Sequence, residues 1–259
     1  MTTRTVLASV AGLALAAAAA PALATNFTLN WLDQSTPTNF GPVGFGSSVP
    51  NSAIYADPNL GFVQIIYSVP TTFSQVRNTD PQTQNGTIVT GPDTYTFAAH
   101  ENFATTNLTP AQTPVLTTGW RITYNFLSGP VAQGNLFLGI AGLGATTSFG
   151  GGASTATVGQ SGTFLGDWQT GTTYGATQFS GGVGSFAYQN SVTAPGGLNP
   201  NWNTALGVTR IDATVSSLTI DFAQLPGDGV GVNIASIPAP AGIAAFGLAG
   251  LVATRRRRA

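Results

Sequence analysis

Alternating apolar and polar residues in the middle of the chain predict β-strands. In GWRITYNFL, at residues 119–127, every second residue from Trp120 to Phe126 is apolar, and the residues between them are polar. The segment SSLTIDF, at residues 216–222, continues this alternation. Successive side chains of a strand point to opposite faces of its sheet, so both segments are predicted to be strands with one buried face.

Further segments with the composition of strands follow one another between turns rich in Gly, Pro, Asn and Asp. They read GFVQIIYSV, TYTFAA, NLFLGIA, VGSFAYQ and GVGVNI, and no convincing amphipathic helix interrupts them. Many short strands with frequent turns are typical of two packed sheets. We therefore predict an all-β domain over residues 25–236, built as an antiparallel β-sandwich or jelly roll.

A glycine-rich region occupies residues 139–184 and contains 14 glycines. Because glycine weakens the interior of a strand, this region is predicted to form long surface loops over the sandwich. Bulged edge strands are the next alternative. A GxxGxG pattern begins at Gly139, but no helix is predicted after it, which argues against a phosphate-binding loop.

The first 24 residues have the layout of a secretory signal peptide. Arg4 supplies a positive start, and residues 6–20 form an uncharged apolar stretch that is expected to be helical. Ala22 and Ala24 are small residues at the two positions that a signal peptidase inspects, so cleavage is predicted after Ala24. An uncleaved membrane anchor is the alternative, which Pro21 and the small-residue site disfavour.

The end of the chain carries a short apolar segment followed by four arginines. Residues 241–253 are uncharged and mostly apolar, and a helix of this length would extend only about 20 Å. The hydrocarbon core of a bilayer is about 30 Å thick, so this helix would be a marginal membrane span. The cytoplasmic side would retain the arginines that follow it, which are Arg255, Arg256, Arg257 and Arg258.

Pro238, Ala239 and Pro240 precede the apolar segment and complete a three-part tail over residues 237–259. A proline motif, a short apolar helix and an arginine cluster together resemble the PEP-CTERM sorting signal of exported bacterial proteins, here in a Pro-Ala-Pro variant. The resemblance implies recognition by an exosortase-type membrane enzyme. A plain tail anchor is the alternative. The closing strand around Asn233 also resembles the last strands of jelly-roll domains in anchored bacterial surface proteins.

Composition excludes several classes of function. The chain has no lysine and no cysteine, and only 7% of its residues are charged. Between the two targeting segments, three arginines stand against nine acidic residues, a formal net charge of −6. This segment has no basic patch to neutralise phosphates, which argues against a nucleic-acid partner. The absence of cysteine excludes disulfides, thiolate metal sites and cysteine nucleophiles.

The acidic residues and the single histidine offer weak candidates for catalysis. His100 and Glu101 are adjacent, so on a strand they would face opposite sides, and an exposed turn is the preferred interpretation. A glycosidase needs two carboxylates across one bond. Asp167, beside a tryptophan, is the most attractive fragment, and Asp212 and Asp221 on consecutive predicted strands could face each other. Unpaired carboxylates on solvent faces are the simpler interpretation.

Two tryptophans and several turn aspartates are candidates for ligand binding. Trp168 in LGDWQTG and Trp202 in NPNWNTA lie in polar contexts where an indole could contact carbohydrate, although packing over a loop is the simpler interpretation. Calcium prefers several oxygen ligands, and Asp57, Asp80 and Asp228 lie in predicted turns. Turn aspartates usually cap their own backbone. We predict no cofactor, with structural calcium as the open alternative.

The two ends, the low charge and the sparse catalytic residues together predict a non-enzymatic, exported bacterial protein with a structural or adhesive role. The cell surface, the outer envelope or the extracellular matrix is its expected location. Its expected partners are signal peptidase, an exosortase-type enzyme, the membrane and extracellular polysaccharide. The alternative is a carbohydrate-binding or polysaccharide-modifying domain with the same fold.

Overall fold

The structure, a computed structural model, is all-β over the residues that it describes. These residues are 24–34, 39–40, 51–68, 73–78, 85–98, 102–107, 118–146, 152–168, 174–190, 204–224 and 229–238. They form 19 strands and no helix. The prediction of an all-β fold is therefore confirmed.

The strands follow one another closely along the chain. They are β1 (Asn26–Trp31), β2 (Asn39–Phe40), β3 (Asn51–Asp57), β4 (Gly61–Ser68), β5 (Phe73–Asn78), β6 (Gly86–Thr90), β7 (Asp93–Phe97), β8 (Asn102–Asn107), β9 (Thr118–Phe126), β10 (Leu136–Ala141), β11 (Ala145–Thr146), β12 (Gly152–Ala153), β13 (Thr155–Val158), β14 (Gly162–Trp168), β15 (Thr177–Gly181), β16 (Phe186–Asn190), β17 (Leu206–Ile211), β18 (Ser217–Gln224) and β19 (Gly229–Ser236).

Two large sheets hold almost all of these strands. The eight-stranded sheet has the order β15-β16-β13-β18-β9-β4-β3-β2. The nine-stranded sheet has the order β14-β17-β10-β19-β1-β7-β6. Its other two strands lie off this path, where β8 pairs with β19 and β5 pairs with β8. Strands β11 and β12 pair separately. All the described strand pairs are antiparallel except β1 and β7, which run parallel with Asn26 beside Thr94.

The clearest alternating segments form β9 and β18 at the centre of the eight-stranded sheet, and the prediction that both are strands with one buried face is confirmed. Strands β9 and β18 pair along their length, from Asn125 beside Ser217 to Thr118 beside Gln224. The predicted apolar face of β9 is buried, since its four apolar side chains are at most 5% exposed. On the opposite face Arg121 is exposed and forms an ion pair with the cross-strand Asp221.

The nine-stranded sheet curls until its two ends meet. Strand β6 lies along β14, where the Thr90 hydroxyl donates to the carbonyl oxygen of Leu165. Farther along the same pair, Ile88 lies so close to Gly166 that an added Cβ there would be 3.2 Å from its Cγ2. The curl therefore gives this sheet an inner face of its own, in addition to the face that packs on the other sheet.

Two separate hydrophobic cores follow from this curl. The sandwich core lies between the two sheets and contains Trp120, Ile122, Leu138 and Ile234, among others. The curl core lies inside the nine-stranded sheet. It is formed by Leu29, Ile88, Tyr95, Phe97, Phe137, Ala141, Leu165, Leu206, Val208 and Ala235, with Phe27, Trp31, Trp168 and Ile237 packed against it.

Strand β10 belongs to both cores. Its six residues are all buried, with Leu136, Leu138 and Ile140 in the sandwich core. Phe137 and Ala141 point the other way, into the curl core. A strand that is covered on both faces has no reason to alternate in polarity, which explains the continuous apolar run NLFLGIA in the sequence.

A buried asparagine fixes the segment that follows β1. Asn233 of β19 is 1% exposed, and its Nδ2 donates to the carbonyl oxygen of Leu32 at 3.0 Å. Its Oδ1 accepts from Gln34 Nε2 at 2.6 Å and from the backbone N–H of Ile234 at 2.8 Å. Buried polar atoms are costly unless they are paired, so these contacts favour an amide at position 233.

The prediction of surface loops in the glycine-rich region is wrong for its described residues. Residues 152–168 and 174–184 contain all of β12 to β15, and these strands contribute to both large sheets. The alternative of bulged edge strands fits β14, the last strand of its sheet order. Its pairing with β17 shifts register between Phe164 and Gly166, where Gly166 has a φ of +135°.

The predicted targeting helices lie outside the described residues, because these begin at residue 24 and end at residue 238. Ala22 and the tail beyond Pro238 are likewise not described. Within the described residues no helix is long and apolar enough to cross a membrane.

We expect Gly139→Ala to destabilise the protein, because residue 139 is the point where β10 faces Trp31. An added Cβ would lie 2.5 Å from Trp31 Cη2 and 3.1 Å from Leu206 Cδ1. Overpacking of this kind costs about 1–3 kcal/mol. Gly119→Ala is the matched control, since its nearest neighbour would be Phe222 O at 3.8 Å. Urea unfolding of the two variants checks this, and equal midpoints would contradict the packing of Trp31 on β10.

Candidate functional site

A groove of about 490 Å³ opens where β6, β7 and the end of β14 come together. Strands β1, β6, β7 and β14 position its walls, so four elements of the curled sheet build it. Its lining residues are Thr28, Asn85, Gly86, Thr87, Thr96, Phe97, Ala98 and Trp168. We call it the Trp168 groove.

A row of threonines forms the polar part of this groove. Thr96 of β7 lies directly beside Thr28 of β1 on one side and beside Thr87 of β6 on the other. All three side chains are exposed. Neighbouring strands are about 4.8 Å apart, so the three hydroxyls are spread over roughly 10 Å. The Thr96 hydroxyl also donates to the carbonyl oxygen of Phe27 at 3.2 Å.

Trp168 supplies the apolar part of the groove, and Phe97, which is 5% exposed, lies behind it in the curl core. Trp168 meets Phe97 edge to face, with ring centroids 6.1 Å apart and an interplanar angle of 90°. Gly86 makes this contact possible, because an added Cβ would lie 2.5 Å from Phe97 Cζ and 2.7 Å from Trp168 Cδ2. Trp168 is half-buried, and its Nε1 is a buried donor that finds no acceptor among the described residues.

The groove contains no charged side chain among its lining residues. Hydroxyl and amide groups both donate and accept hydrogen bonds, and aromatic rings offer apolar surface. This arrangement is suited to binding an uncharged, hydroxyl-rich molecule.

Asp167 does not share the groove with Trp168, contrary to the interpretation of these neighbours as one carbohydrate-contacting fragment. The two residues point to opposite faces of β14. Asp167 lies between β15 and β17, where its Oδ2 accepts the backbone N–H of Thr177 at 2.8 Å. An added Cβ at Gly207 would lie 3.2 Å from its Oδ1. Burial raises the pKa of the Asp167 carboxyl, and hydrogen bonding from Thr177 offsets part of the rise.

Asp212 and Asp221 are not a facing pair of carboxylates. Asp221 lies on the eight-stranded sheet, where Arg121 Nε is 2.6 Å from its Oδ1. Asp212 follows the last residue of β17 in the other sheet, where it accepts from Arg210 Nε at 2.7 Å and from the Thr163 hydroxyl at 2.5 Å. Each aspartate therefore has an arginine of its own.

A second, smaller concavity of about 370 Å³ contains the Arg210–Asp212 pair. Tyr95, Phe27 and Ile237 also line it, so it lies beside both ends of the folded chain. The carboxylate of Asp212 balances the charge of Arg210 at a distance of 2.7 Å. A charged ligand would have to compete with this internal ion pair.

Of the remaining candidate catalytic and ligand-binding residues from the sequence, the structure describes only Asp57. Asp57 caps its own turn, because its Oδ1 accepts the backbone N–H groups of Asn59 and Leu60, each at 2.8 Å. Within the described residues no three potential metal-ligating side chains come together. The candidates outside the described residues are His100, Glu101, Asp80, Asp228 and Trp202.

The sequence indicates Trp168 but not the rest of the groove. Thr94 and Thr96 alternate with aromatic residues in TYTFAA, which placed Thr96 on a polar face without indicating its neighbours. The pairing of Thr96 with Thr28 joins residues that are far apart in the chain through a parallel ladder. Gly86 gave no indication of its role, since only the positions of Phe97 and Trp168 show why it lacks a side chain.

We expect Asp167→Asn to remove a loss of folding stability that the native protein suffers when the buried Asp167 carboxyl ionises. The folded pKa of Asp167 is raised above its ordinary value of 3.8, so protonation favours the folded state. The contribution is therefore present below about pH 4 and is lost as the pH rises through the folded pKa. Relative to the native protein, the variant should gain stability from acid to neutral pH. Urea unfolding across this range measures the difference, and a pH-independent difference would contradict the burial of Asp167.

No family model, no curated protein and no solved structure matches this chain.

Proposed function

We propose that this chain is an exported, C-terminally sorted bacterial protein of the cell surface or extracellular matrix, with a structural or adhesive role and no catalysis of its own. One observation carries the proposal. The same chain begins with the layout of a signal peptide and ends with Pro238, Ala239 and Pro240, an apolar segment and four arginines. Signal peptidase and an exosortase-type enzyme are the proposed processing partners.

The places where the chain enters and leaves the fold support this proposal. The carbonyl oxygen of Thr25, the residue after the predicted cleavage site, accepts the backbone N–H of Thr94 at 2.9 Å. At the other end Ile237, just before the proline motif, packs against the curl core. Strands β1 and β19 are antiparallel neighbours, with Asn30 beside Ser236. Both ends therefore leave the same part of the fold, and trimming them there would cut no strand.

The partners of five described carboxylates support a non-catalytic role. Asp57 caps a turn, and Asp93 accepts the backbone N–H of Thr25 at 3.3 Å. Asp212 and Asp221 are in ion pairs with arginines, and Asp167 accepts from Thr177. Acid–base catalysis needs a carboxyl group within reach of a substrate proton, and these groups are occupied with holding strands and turns together.

The two-sheet architecture is suited to a protein that must persist outside the cell without disulfides. We describe it as an antiparallel sandwich related to jelly rolls, in which one sheet curls to enclose a second core. Threonine, asparagine and glutamine side chains line the outer face between β9 and its neighbours. Asn125 Nδ2 donates to Gln64 Oε1, and the Oγ1 atoms of Thr123 and Thr219 are hydrogen-bonded at 3.1 Å. The packing of two cores would supply the stability.

The proposed processing predicts two cleavages. We expect the protein from the extracellular or surface fraction of its own host to begin at Thr25 and to end near Pro238. Intact-mass spectrometry of the membrane and extracellular fractions, measured separately, checks both ends at once.

The membrane fraction supplies the control for this experiment. A transient form that has lost the signal peptide but keeps Arg255 to Arg258 is expected there, and chasing newly made protein should convert it into the trimmed form. A chain that keeps its arginines permanently, with no trimmed form in any fraction, would contradict the sorting proposal and favour a plain tail anchor.

A further inference from the structure

We infer that the Trp168 groove binds sugar units of a neutral, extended polysaccharide. This inference rests on the proposed surface role and deepens it, because it names what an adhesive protein of this kind would hold. The groove is a separate structural feature from the chain ends, so its test does not depend on how the ends are processed.

The charge of the groove selects among extracellular polymers. None of its lining residues carries a charge, whereas recognition of uronates, sulfates or phosphates uses arginine or lysine to pair with the anion. The described arginine side chains are paired elsewhere, Arg121 with Asp221 and Arg210 with Asp212. An anionic polymer would find no cationic side chain to pair with at the groove, whereas a neutral polymer needs none.

The shape of the groove favours a chain over a single small molecule. The cross-strand row of Thr28, Thr96 and Thr87 repeats a hydroxyl at the spacing of neighbouring strands, which is about 4.8 Å. This spacing is similar to the rise per sugar in an extended polysaccharide. Each successive sugar of an extended chain could therefore hydrogen-bond to one threonine hydroxyl of the row.

The aromatic wall supplies the apolar complement to the hydroxyl row. Sugars present C–H groups on their ring faces, which favour contact with an aromatic surface. Trp168 is half-buried and keeps part of its ring exposed at this wall, with Phe97 buried behind it. The indole Nε1 of Trp168 is a buried donor with no acceptor among the described residues. Because this nitrogen is buried, a sugar would contact the exposed part of the indole ring and not its Nε1.

The glycine at position 86 keeps the aromatic wall in place. Any larger residue would put its Cβ within 2.7 Å of atoms of both Phe97 and Trp168. The local sequence Asn85-Gly86-Thr87 thus contributes an amide, an absent side chain and a hydroxyl to the same groove. Three consecutive residues with three complementary contributions are consistent with a binding surface.

The test measures binding of neutral and anionic polysaccharides to protein purified from its host in its natural processed form. Affinity electrophoresis uses gels that contain xylan, dextran or glucomannan, with alginate and polygalacturonate as the anionic set. Titration calorimetry with xylohexaose and cellohexaose then separates binding of short fragments from binding that needs the polymer. We expect retardation by at least one neutral polymer, unchanged by about 0.5 M salt because no ion pair is formed.

Two substitutions with a matched control locate the binding. Thr87→Val removes one groove hydroxyl with little change of shape and should weaken binding about fivefold, the equivalent of one hydrogen bond. Trp168→Ala should weaken it at least tenfold, and Trp168→Phe, which keeps an aromatic ring in the curl core, should weaken it less. Thr157→Val is the control, since Thr157 is an equally exposed strand threonine on the eight-stranded sheet.

The outcomes are distinct from those of the processing experiment. Absence of binding to every neutral polymer overturns the inference, and so does a preference for the anionic set. Equal binding by the Thr87→Val and Thr157→Val proteins also overturns it, because binding would then lie elsewhere on the molecule. Each of these results leaves the mass-spectrometric test of sorting unaffected, and a failed sorting test leaves the binding result standing.

Discussion

The burial of β10 on both of its faces is the constraint on which the rest of this structure depends. Leu136, Leu138 and Ile140 need the eight-stranded sheet to cover them, and Phe137 needs cover on the opposite side. A flat sheet would leave that second face in water. The nine-stranded sheet curls instead, and burying the aromatic and aliphatic side chains inside the curl contributes about 1.5–3 kcal/mol for each large residue, before the entropy of ordering.

The curl also creates the surface that we interpret as functional. Strand β6 can lie along β14 only because Gly166 and Gly86 leave room for Ile88 on one side and for two rings on the other. Where the two strands separate, Trp168 is left half-buried at the rim, beside a row of threonines on the outer face of the sheet. The parallel pairing of β1 with β7 aligns that row and also places the start of the fold next to its end. The groove and the proximity of β1 to β19 therefore both follow from the way the nine-stranded sheet curls.

The strands that could be predicted from the sequence are those with one buried face and one solvent-exposed face. Alternation in β9 and β18 follows directly from a sheet that is buried on one side, so the sequence pattern was sufficient. The curl could not be predicted, because the continuous apolar run of β10 fits a strand buried in any of several ways. The glycine-rich region was interpreted as loops because glycine disfavours strands on average. Within this region Gly139 and Gly162 lie on strands β10 and β14, where neighbouring side chains that only the structure reveals leave no room for a Cβ.

The candidate site was half-predicted for a similar reason. Trp168 was identified from its polar surroundings, but Asp167 was paired with it although adjacent residues of a strand face opposite ways. The threonine row depends on the register of three strands, which no local pattern encodes. The proposed sorting tail, in contrast, is a linear pattern in the sequence, and the described residues do not test it.

One measurement tests most directly whether the curled sheet presents a glycan-binding groove. The chain has four tryptophans, so a ¹⁵N-labelled sample gives four indole N–H resonances, of which Trp168→Phe assigns one. We predict that adding a neutral oligosaccharide shifts the Trp168 resonance and leaves the buried Trp120 resonance, whose Nε1 donates to Gln224 at 2.7 Å, in place. Spectra in which the Trp168 resonance does not move at any neutral oligosaccharide concentration would contradict the account.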